Sequence, residues 1–349
     1  MPQLQFGTRE LGTNRPTFII AEVGQNHQGD INVAKQLIEI AQEVGADCVK
    51  FQKTCLTEKF NQAALNRPYR SENSWGSTYG DHKKYLEFTE EEFMELKTYA
   101  NHKNIMFTAS AMDVQSLHFL QSIRVPFIKI GSGDSNNLIF IEKAAATNIP
   151  LVISTGMQDL PGVKNIYECV SKFHKKFALL HCVSAYPTPI NEINLKVVSL
   201  YKRTFPDIVV GYSGHELGID TTVAAVALGS KIIERHITLD INQKGSDHKS
   251  SLEPWEFRTL VEKVRHLEIA LGDSVKLFQN SEQACYEKLG KSLVASKALK
   301  KGHVLRLSDM KAKVAEPKGI DASLIYHLVG EILKSDIEED ESITIDSYE

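Results

Sequence analysis

No two of the five cysteines (Cys48, Cys55, Cys169, Cys182, Cys285) stand in a C-x-x-C spacing. Neither a disulfide framework nor a zinc knuckle is therefore indicated. No apolar run approaches the roughly 18 residues needed to cross a bilayer. The opening MPQLQFGTRE has no basic-then-apolar secretion pattern. Basic charge is not in surplus: 40 Lys and Arg against 44 Asp and Glu leave −4 over 349 residues, the wrong sign for a nucleic-acid surface. What remains is the expectation of a cytoplasmic protein with neither membrane nor nucleic-acid partners. With 42% hydrophobic and 24% charged residues it can bury a substantial core.

Short runs rich in β-branched and aromatic residues recur at 18–22 (FIIAE), 48–52 (CVKFQ), 106–110 (MFTAS), 127–131 (FIKIG), 151–154 (LVIS), 178–182 (ALLHC), 208–212 (IVVGY) and 231–236 (KIIERH). Segments with helical apolar spacing lie between them, as at Val33, Leu37, Ile40, Ala41 and Val44. Several of these end on a small-residue stop, such as Gly45 and Gly229. Eightfold alternation implies a parallel sheet with right-handed crossovers. Its length, about 270 residues, suits a closed (β/α)8 barrel. An open doubly wound sheet is the alternative, but no G-x-G-x-x-G follows the first run.

The connection from Thr54 to about Glu90 is too long for an ordinary βα loop. It carries Trp75, Tyr79, His82, Lys83 and Lys84, a mixture suited to a lid over a polar ligand or, less specifically, to a solvated excursion. Residues 1–272 are expected to form the barrel, 273–288 a polar linker, and 289–349 a separate β-rich domain. That last domain has strand-like pieces at 292–295 and 343–345, and it is small enough to need support from elsewhere.

Barrels of this kind carry function at the carboxyl ends of their strands. Polar residues recur there: Glu22, Lys50, Gln52, Lys53, Ser110, Lys129, Ser132, Asp134, Ser154, His181, Ser184, Tyr186, Ser213, His215, Glu216, Glu234, His236 and Asp247. Any one of them could be a satisfied structural group. Charges embedded in successive apolar strands are different, because unpaired burial costs several kcal/mol. Lys50, Lys129, Ser132, Ser154 and Ser184, with Gly131, Gly133 and Gly156 beside them, suit a phosphate or carboxylate. His215 and His236, at neighbouring strand ends, suit a divalent ion; without a thiolate they are not specific for zinc, and with oxygen donors completing the shell manganese or magnesium fits. Glu22, Asp134, Glu234 and Asp247 could hold sugar hydroxyls or orient a water; spacing does not distribute these jobs among them.

Five motifs together resemble those of the sialic acid synthases, phosphoenolpyruvate-condensing (β/α)8 enzymes with a C-terminal SAF (antifreeze-like) domain. They are 20–29 (IAEVGQNHQG), 129–137 (KIGSGDSNN), 153–157 (ISTGM), 211–215 (GYSGH) and 234–236 (ERH), and the tail from 289–292 (LGKS) through 316–319 (EPKG) is similar to the SAF domain. The resemblance covers essentially the whole chain. It implies that phosphoenolpyruvate sits on Lys50, Lys129, Ser132, Ser154 and Ser184, and that Mn2+ or Mg2+ is held by His215 and His236. It places Gln52, Tyr79, Ser110, Tyr186, Asp247 and Lys318 around the sugar, with Glu22, Asp134, Glu234, Tyr186 and Asp247 as catalytic candidates. It further implies a homodimer in which each SAF domain caps the partner's barrel.

The implied reaction joins phosphoenolpyruvate to the open-chain aldehyde of an N-acylmannosamine and releases phosphate by C–O cleavage. The chain departs from the family pattern in three places: Asp134 stands where several bacterial members have glutamate, Ser184 where some have asparagine, and 313–317 (KVAEP) lacks an arginine that serves members using the free sugar. Lys313 or Lys318 is the candidate to take its place. The stretch 74–80 (SWGSTYG) and the EPKG turn are closer to members using the 6-phosphorylated sugar. The expected acceptor is therefore N-acetylmannosamine 6-phosphate, giving a 9-phosphate product. The alternatives are the free sugar or a legionaminate- or pseudaminate-type acceptor. A metal-dependent barrel hydrolase or aldolase, or a non-catalytic protein whose SAF domain binds ice or carbohydrate, competes with the synthase reading. The paired lysine–serine donors favour the synthase.

Overall fold

Side chains alternate faces along a strand, and strands apolar on both faces must be covered on both. In the computed structural model, which describes residues 2–349, eight such strands close into an all-parallel barrel. A hairpin of β1 (Gln3–Phe6) and β2 (Arg9–Gly12) precedes them. The barrel strands are β3 (Phe18–Gly24), β4 (Cys48–Lys53), β5 (Met106–Ala111), β6 (Ile128–Ile130), β7 (Leu151–Ser154), β8 (Phe177–Cys182), β9 (Val209–Gly214) and β10 (Ile232–His236). They are paired in sequence order, and β10 closes on β3. The closed barrel, rather than the open sheet, is what the alternation of runs and helices indicated.

Alternation divides the strand residues into two populations. One set, including Ile19, Ala21, Val49, Phe51 and Ile233, packs outward against helix residues such as Leu37, Ile38, Phe93 and Leu260. The other set points inward. Its lower half is apolar, with Phe18, Ile20, Phe127, Val152 and Leu180 packed on Leu4, Phe6 and Leu11 of the hairpin. Phe6 stacks on Phe127 at 4.0 Å and meets Phe18 edge-on at 5.2 Å. The hairpin therefore plugs the lower end of the barrel, a role the sequence reading did not give it.

Helix stops follow the expected chemistry. The helix Ile31–Glu43 begins at Asp30, whose side chain accepts from the Asn32 amide, and is followed by Gly45 at φ +86°. A left-handed residue there is cheap only for glycine.

The long connection after β4 is ordered by its own helices, Leu56–Lys59, Gln62–Asn66 and Tyr79–Leu86. The last of these is started by a Thr78–Asp81 capping box. Trp75 stacks on Tyr85 at 5.4 Å and on His82 at 5.6 Å. The segment is fastened to the barrel rim by Lys59 to Asp134 and Lys83 to Gln25, each at 3.0 Å.

Backbone contacts divide the chain into units of residues 1–272 and 273–349. Within the second, residues 283–289, at the end of the presumed linker and just beyond, form the helix Gln283–Leu289. β11 (Ser292–Ala295) pairs with β12 (Met310–Lys313) antiparallel. The strand expected at 343–345 is reduced to backbone bonds of Ile343 with Leu293 and Ile320, followed by a 3-10 turn at Ile345–Ser347. Leu293, Leu299, Leu305, Leu328, Leu333 and Ile343 are among the residues that make its core.

Candidate active site

Above the apolar half of the barrel the inward positions turn polar, and the strand register brings them to one level. Glu22 stands beside Lys50, Gln52 beside Ser110, and His236 beside Glu22. Lys50 and Lys129 are both fully buried. Lys50 Nζ lies 2.6 Å from Glu22 Oε2 and donates to Ser110 Oγ at 3.0 Å. Lys129 Nζ donates to Ser154 Oγ at 2.8 Å. Both ammoniums face the same oxygen, Glu234 Oε1, at 3.7 and 3.6 Å. Ser184 donates to Ser132 at 2.8 Å next to Gly156. A Cβ at Gly156 would lie 2.2 Å from Ser184 Oγ, so the hydroxyl pair requires glycine there.

The two buried carboxylates behave oppositely. Burial drives Glu22 up to about 7 despite the Lys50 ammonium, and Glu234 adds to the rise. Burial also pushes Glu234 up, but Lys129 and Lys50 together outweigh it and hold this carboxyl at about 2. Burial lowers Lys129. Lys50 is raised, because Glu22 and Glu234 overcome the burial term. One carboxylate is thus fixed in its charged form while its neighbour titrates near neutrality, the pattern by which environment assigns different proton roles to two acids.

His215 and His236 form the opposite wall, with ring centres 5.5 Å apart. The Tyr186 ring lies 4.1 Å from that of His215. Asp247 Oδ2 is 4.0 Å from His236 Nδ1. Gln52 donates to Glu22 Oε1 at 3.0 Å. At Gly24, where φ is +55°, a Cβ would come within 3.2 Å of both Glu22 Oε1 and His236 Cε1. Carboxylate, imidazole and amide therefore converge on one small volume.

A family profile, NeuB, matches residues 37–276 of this sequence. The chain belongs to the NeuB family. A SAF domain profile matches residues 290–349. An N-acetylneuraminate-9-phosphate synthase from Homo sapiens is 51% identical over 335 residues, covering 96% of this chain and 93% of that one. The synthase of the same description from Mus musculus is 51% identical over 341 residues, 98% of this chain and 95% of that one. A crystal structure of N-acetylneuraminic acid (sialic acid) synthetase from Leptospira borgpetersenii serovar Hardjo-bovis aligns with TM-score 0.73 at 33% identity. It covers 82% of this chain and 95% of its own. The kinship read from the five motifs is thereby established.

The NeuB resemblance brought with it a divalent ion on two histidines, and the side chains present fit one. His215 Nδ1–H donates to the Val183 carbonyl at 2.9 Å, leaving Nε2 with its lone pair. His236 Nδ1 is buried with no hydrogen-bond partner. Burial lowers both histidines, His215 to about 4 with help from His236, so both imidazoles are neutral, the ligating form. Ring centres about 5 Å apart are what two imidazoles on one ion adopt, given metal–nitrogen bonds near 2.1 Å. Among the described residues no group of three or more His, Cys, Asp and Glu side chains is arranged to hold a metal. The protein thus offers two nitrogens, and oxygen donors from substrate or water would complete the shell.

Several rim residues singled out from the sequence are elsewhere. Lys53 and His181 have the outward strand parity, which Arg235 shares. Lys53 pairs with Glu87 at 2.7 Å, and His181 bonds the Ile193 carbonyl. Glu216, grouped with the rim, turns away from it to accept from Arg235 at 3.1 Å and from Tyr212 and Thr222, both at 2.8 Å. Tyr79 lies in the connection after β4, edge-on to Phe60 at 5.6 Å. Lys318 Nζ is held within its own unit by the carbonyls of Tyr286 and Gly290, each at 3.0 Å. Three residues near the rim were not singled out as site residues: Lys59, Lys83 and Gln25. Only Lys83 carried a hint, as part of a polar lid.

Proposed function

We propose that this protein condenses phosphoenolpyruvate with the open-chain aldehyde of N-acetylmannosamine 6-phosphate and with water, giving N-acetylneuraminate 9-phosphate and phosphate. The observation that carries the reading is the pair of buried lysines, each with its own serine and both facing Glu234, beside two neutral imidazoles. Such a cradle suits a small dianionic acid, since unmatched ammoniums at this depth are costly. The 9-phosphate product follows the synthases that share half of their residues with this chain.

In this reading Lys50, Lys129, Ser132, Ser154 and Ser184 bind the phosphate and carboxylate of phosphoenolpyruvate. Gln52, Ser110, Tyr186 and Asp247 orient the sugar, with Tyr79 and Lys318 as more distant candidates. C3 of the enol phosphate bonds to the aldehyde carbon, water adds at C2, and phosphate leaves by C2–O cleavage, taking the remaining proton of that water as the C2 ketone forms. The water surrenders a proton, and the aldehyde oxygen gains one. Glu22, whose carboxyl sits near neutrality, accepts and passes that proton. Glu234 stays charged and stabilises positive character developing at C2. Asp134 closes the rim near the sugar. His215 and His236 would hold Mn2+ or Mg2+, which supplies Lewis-acid polarisation of the aldehyde oxygen.

A homodimer with each SAF domain over the partner's barrel, in the cytoplasm, completes the proposal. Its support is the small core of residues 273–349 and the exposure of Tyr326 and Ile345 there, matched by exposed Ile190 and Leu217 in residues 1–272. No helix among the described residues is long and apolar enough to cross a membrane.

The test is direct. Purified protein with phosphoenolpyruvate, the phosphorylated sugar and Mn2+ should release phosphate and form a 2-keto acid in equal amounts. No turnover with either the free or the phosphorylated sugar would overturn the synthase reading; turnover only with the free sugar, or only with a legionaminate-type precursor, would overturn the acceptor.

A further inference from the structure

The long connection after β4 gathers more positive charge at the barrel mouth than its carboxylates match. Lys59, on the first of its helices, reaches Asp134 at 3.0 Å. Arg67 and Lys83 approach the same aromatic ring, Tyr79, at 4.1 and 5.6 Å. Among the described residues neither Arg67 nor Lys83 is paired with a carboxylate; the hydrogen-bond acceptor of Lys83 is the neutral Gln25 amide. The Lys83 side chain is half-buried, and its ammonium lies within electrostatic reach of Lys59, Asp247 and Glu87. Burial lowers its pKa, Asp247 opposes the shift, and Lys59 adds to it. Neutral partnering of a half-buried cation is unfavourable unless an anion arrives. Asp134 is already occupied by Lys59, and Asp247 and Glu87 act on the Lys83 ammonium without pairing with it.

Position narrows the choice of anion. Gln25 follows Gly24, where a Cβ would meet Glu22 and His236, and Asp134 closes the 3-10 turn that follows β6. The cluster therefore stands on the rim above the lysine cradle, separated from it by the wall of imidazoles and carboxylates. An acceptor whose aldehyde meets that wall would extend its opposite end toward the rim.

We propose that Arg67 and Lys83, assembled on Tyr79 and supported by Lys59, form a second anion subsite that receives the phosphate at the far end of the acceptor sugar and so selects phosphorylated over free acceptors. This rests on the synthase reading and adds the residues that set its acceptor preference.

The experiment compares kcat/KM for N-acetylmannosamine 6-phosphate with that for N-acetylmannosamine, in the full-length protein and in K83A and R67A. Arg67 is exposed, so R67A tests the idea even if K83A folds poorly. Each substitution should lower the phosphorylated-to-free ratio by about 10- to 100-fold, as expected for losing one charge-assisted bond to phosphate. The loss should fall mainly on KM of the phosphorylated sugar, and K83R should recover part of it. If the unsubstituted protein shows no preference for the phosphorylated sugar, the acceptor assignment itself fails. If it does prefer that sugar and both variants keep the same ratio, the subsite is refuted while the assignment stands.

Discussion

The Lys50 ammonium lies 2.6 Å from Glu22 and 3.7 Å from Glu234, so one buried cation serves two buried carboxylates. Replacing it by methionine leaves both acids less compensated, a type of change that costs about 3–5 kcal/mol. K50M should therefore melt at least about 6 °C lower and lose turnover. Adding E22Q, which removes the carboxyl left without its ammonium, should restore part of the melting temperature. A K50M protein as stable as the parent would show that the pair contributes little to the fold.

The imidazole wall gives a second expectation. H215A and H236A should each weaken Mn2+ binding by at least about 10-fold, as read by the paramagnetic signal of free Mn2+ in a titration without substrates. Unchanged affinity in both variants would remove these residues as ligands. Because the readout is binding, it is independent of any role they play in turnover.

Arg235 and Glu216 supply a contrast. Both are buried between sheet and helices, and Arg235 also donates to the Gly218 and Glu216 carbonyls at 2.7 and 2.6 Å. R235M should destabilise the protein by about 3–5 kcal/mol while the folded fraction retains its Mn2+ affinity. A selective loss of metal binding would place Arg235 in the site.

Residues 273–349 contain an acid-sensitive element of their own. Burial raises the Asp309 carboxyl, but bonds from His303 at 2.8 Å, Lys297 at 3.1 Å and the Arg306 amide at 3.0 Å outweigh it. The group is held at about 2, below the ordinary 3.8. The folded state therefore favours the charged form: this stabilisation is complete above the ordinary value and is lost as pH falls from there through about 2. Melting curves of the full-length protein should show a transition that drops across that window and is flattened by D309N. An unchanged profile in D309N would assign the acid sensitivity elsewhere.

The eight strands were legible because each run is short, β-branched and followed by helical spacing. Lys50, Lys129, Glu22, Glu234, Ser154 and His236 were legible because they share the inward parity of their strands. The same parity, applied strictly, would have removed Lys53 and His181, which sit on alternate positions. Glu216 was misjudged for another reason: it lies beyond the end of β9, where alternation no longer applies. The β1–β2 hairpin was missed because four-residue strands at the chain start carry too little periodicity, and its plugging side chains, Leu4, Phe6 and Leu11, read as ordinary apolar residues. Lys59 and Lys83 lie in a segment whose helices are too short to show a period, so only the fold reveals what they face.

With Phe6 packed against Phe18 and Phe127, the floor of the central chamber is sealed by hydrocarbon. Traffic must use a single doorway at the top. Under the proposed placement, the three-carbon acid occupies the deepest berth and the sugar stands above it in the exit path. Arrival is then obligatorily sequential, and a dead-end sugar analogue should trap bound phosphoenolpyruvate rather than compete with it.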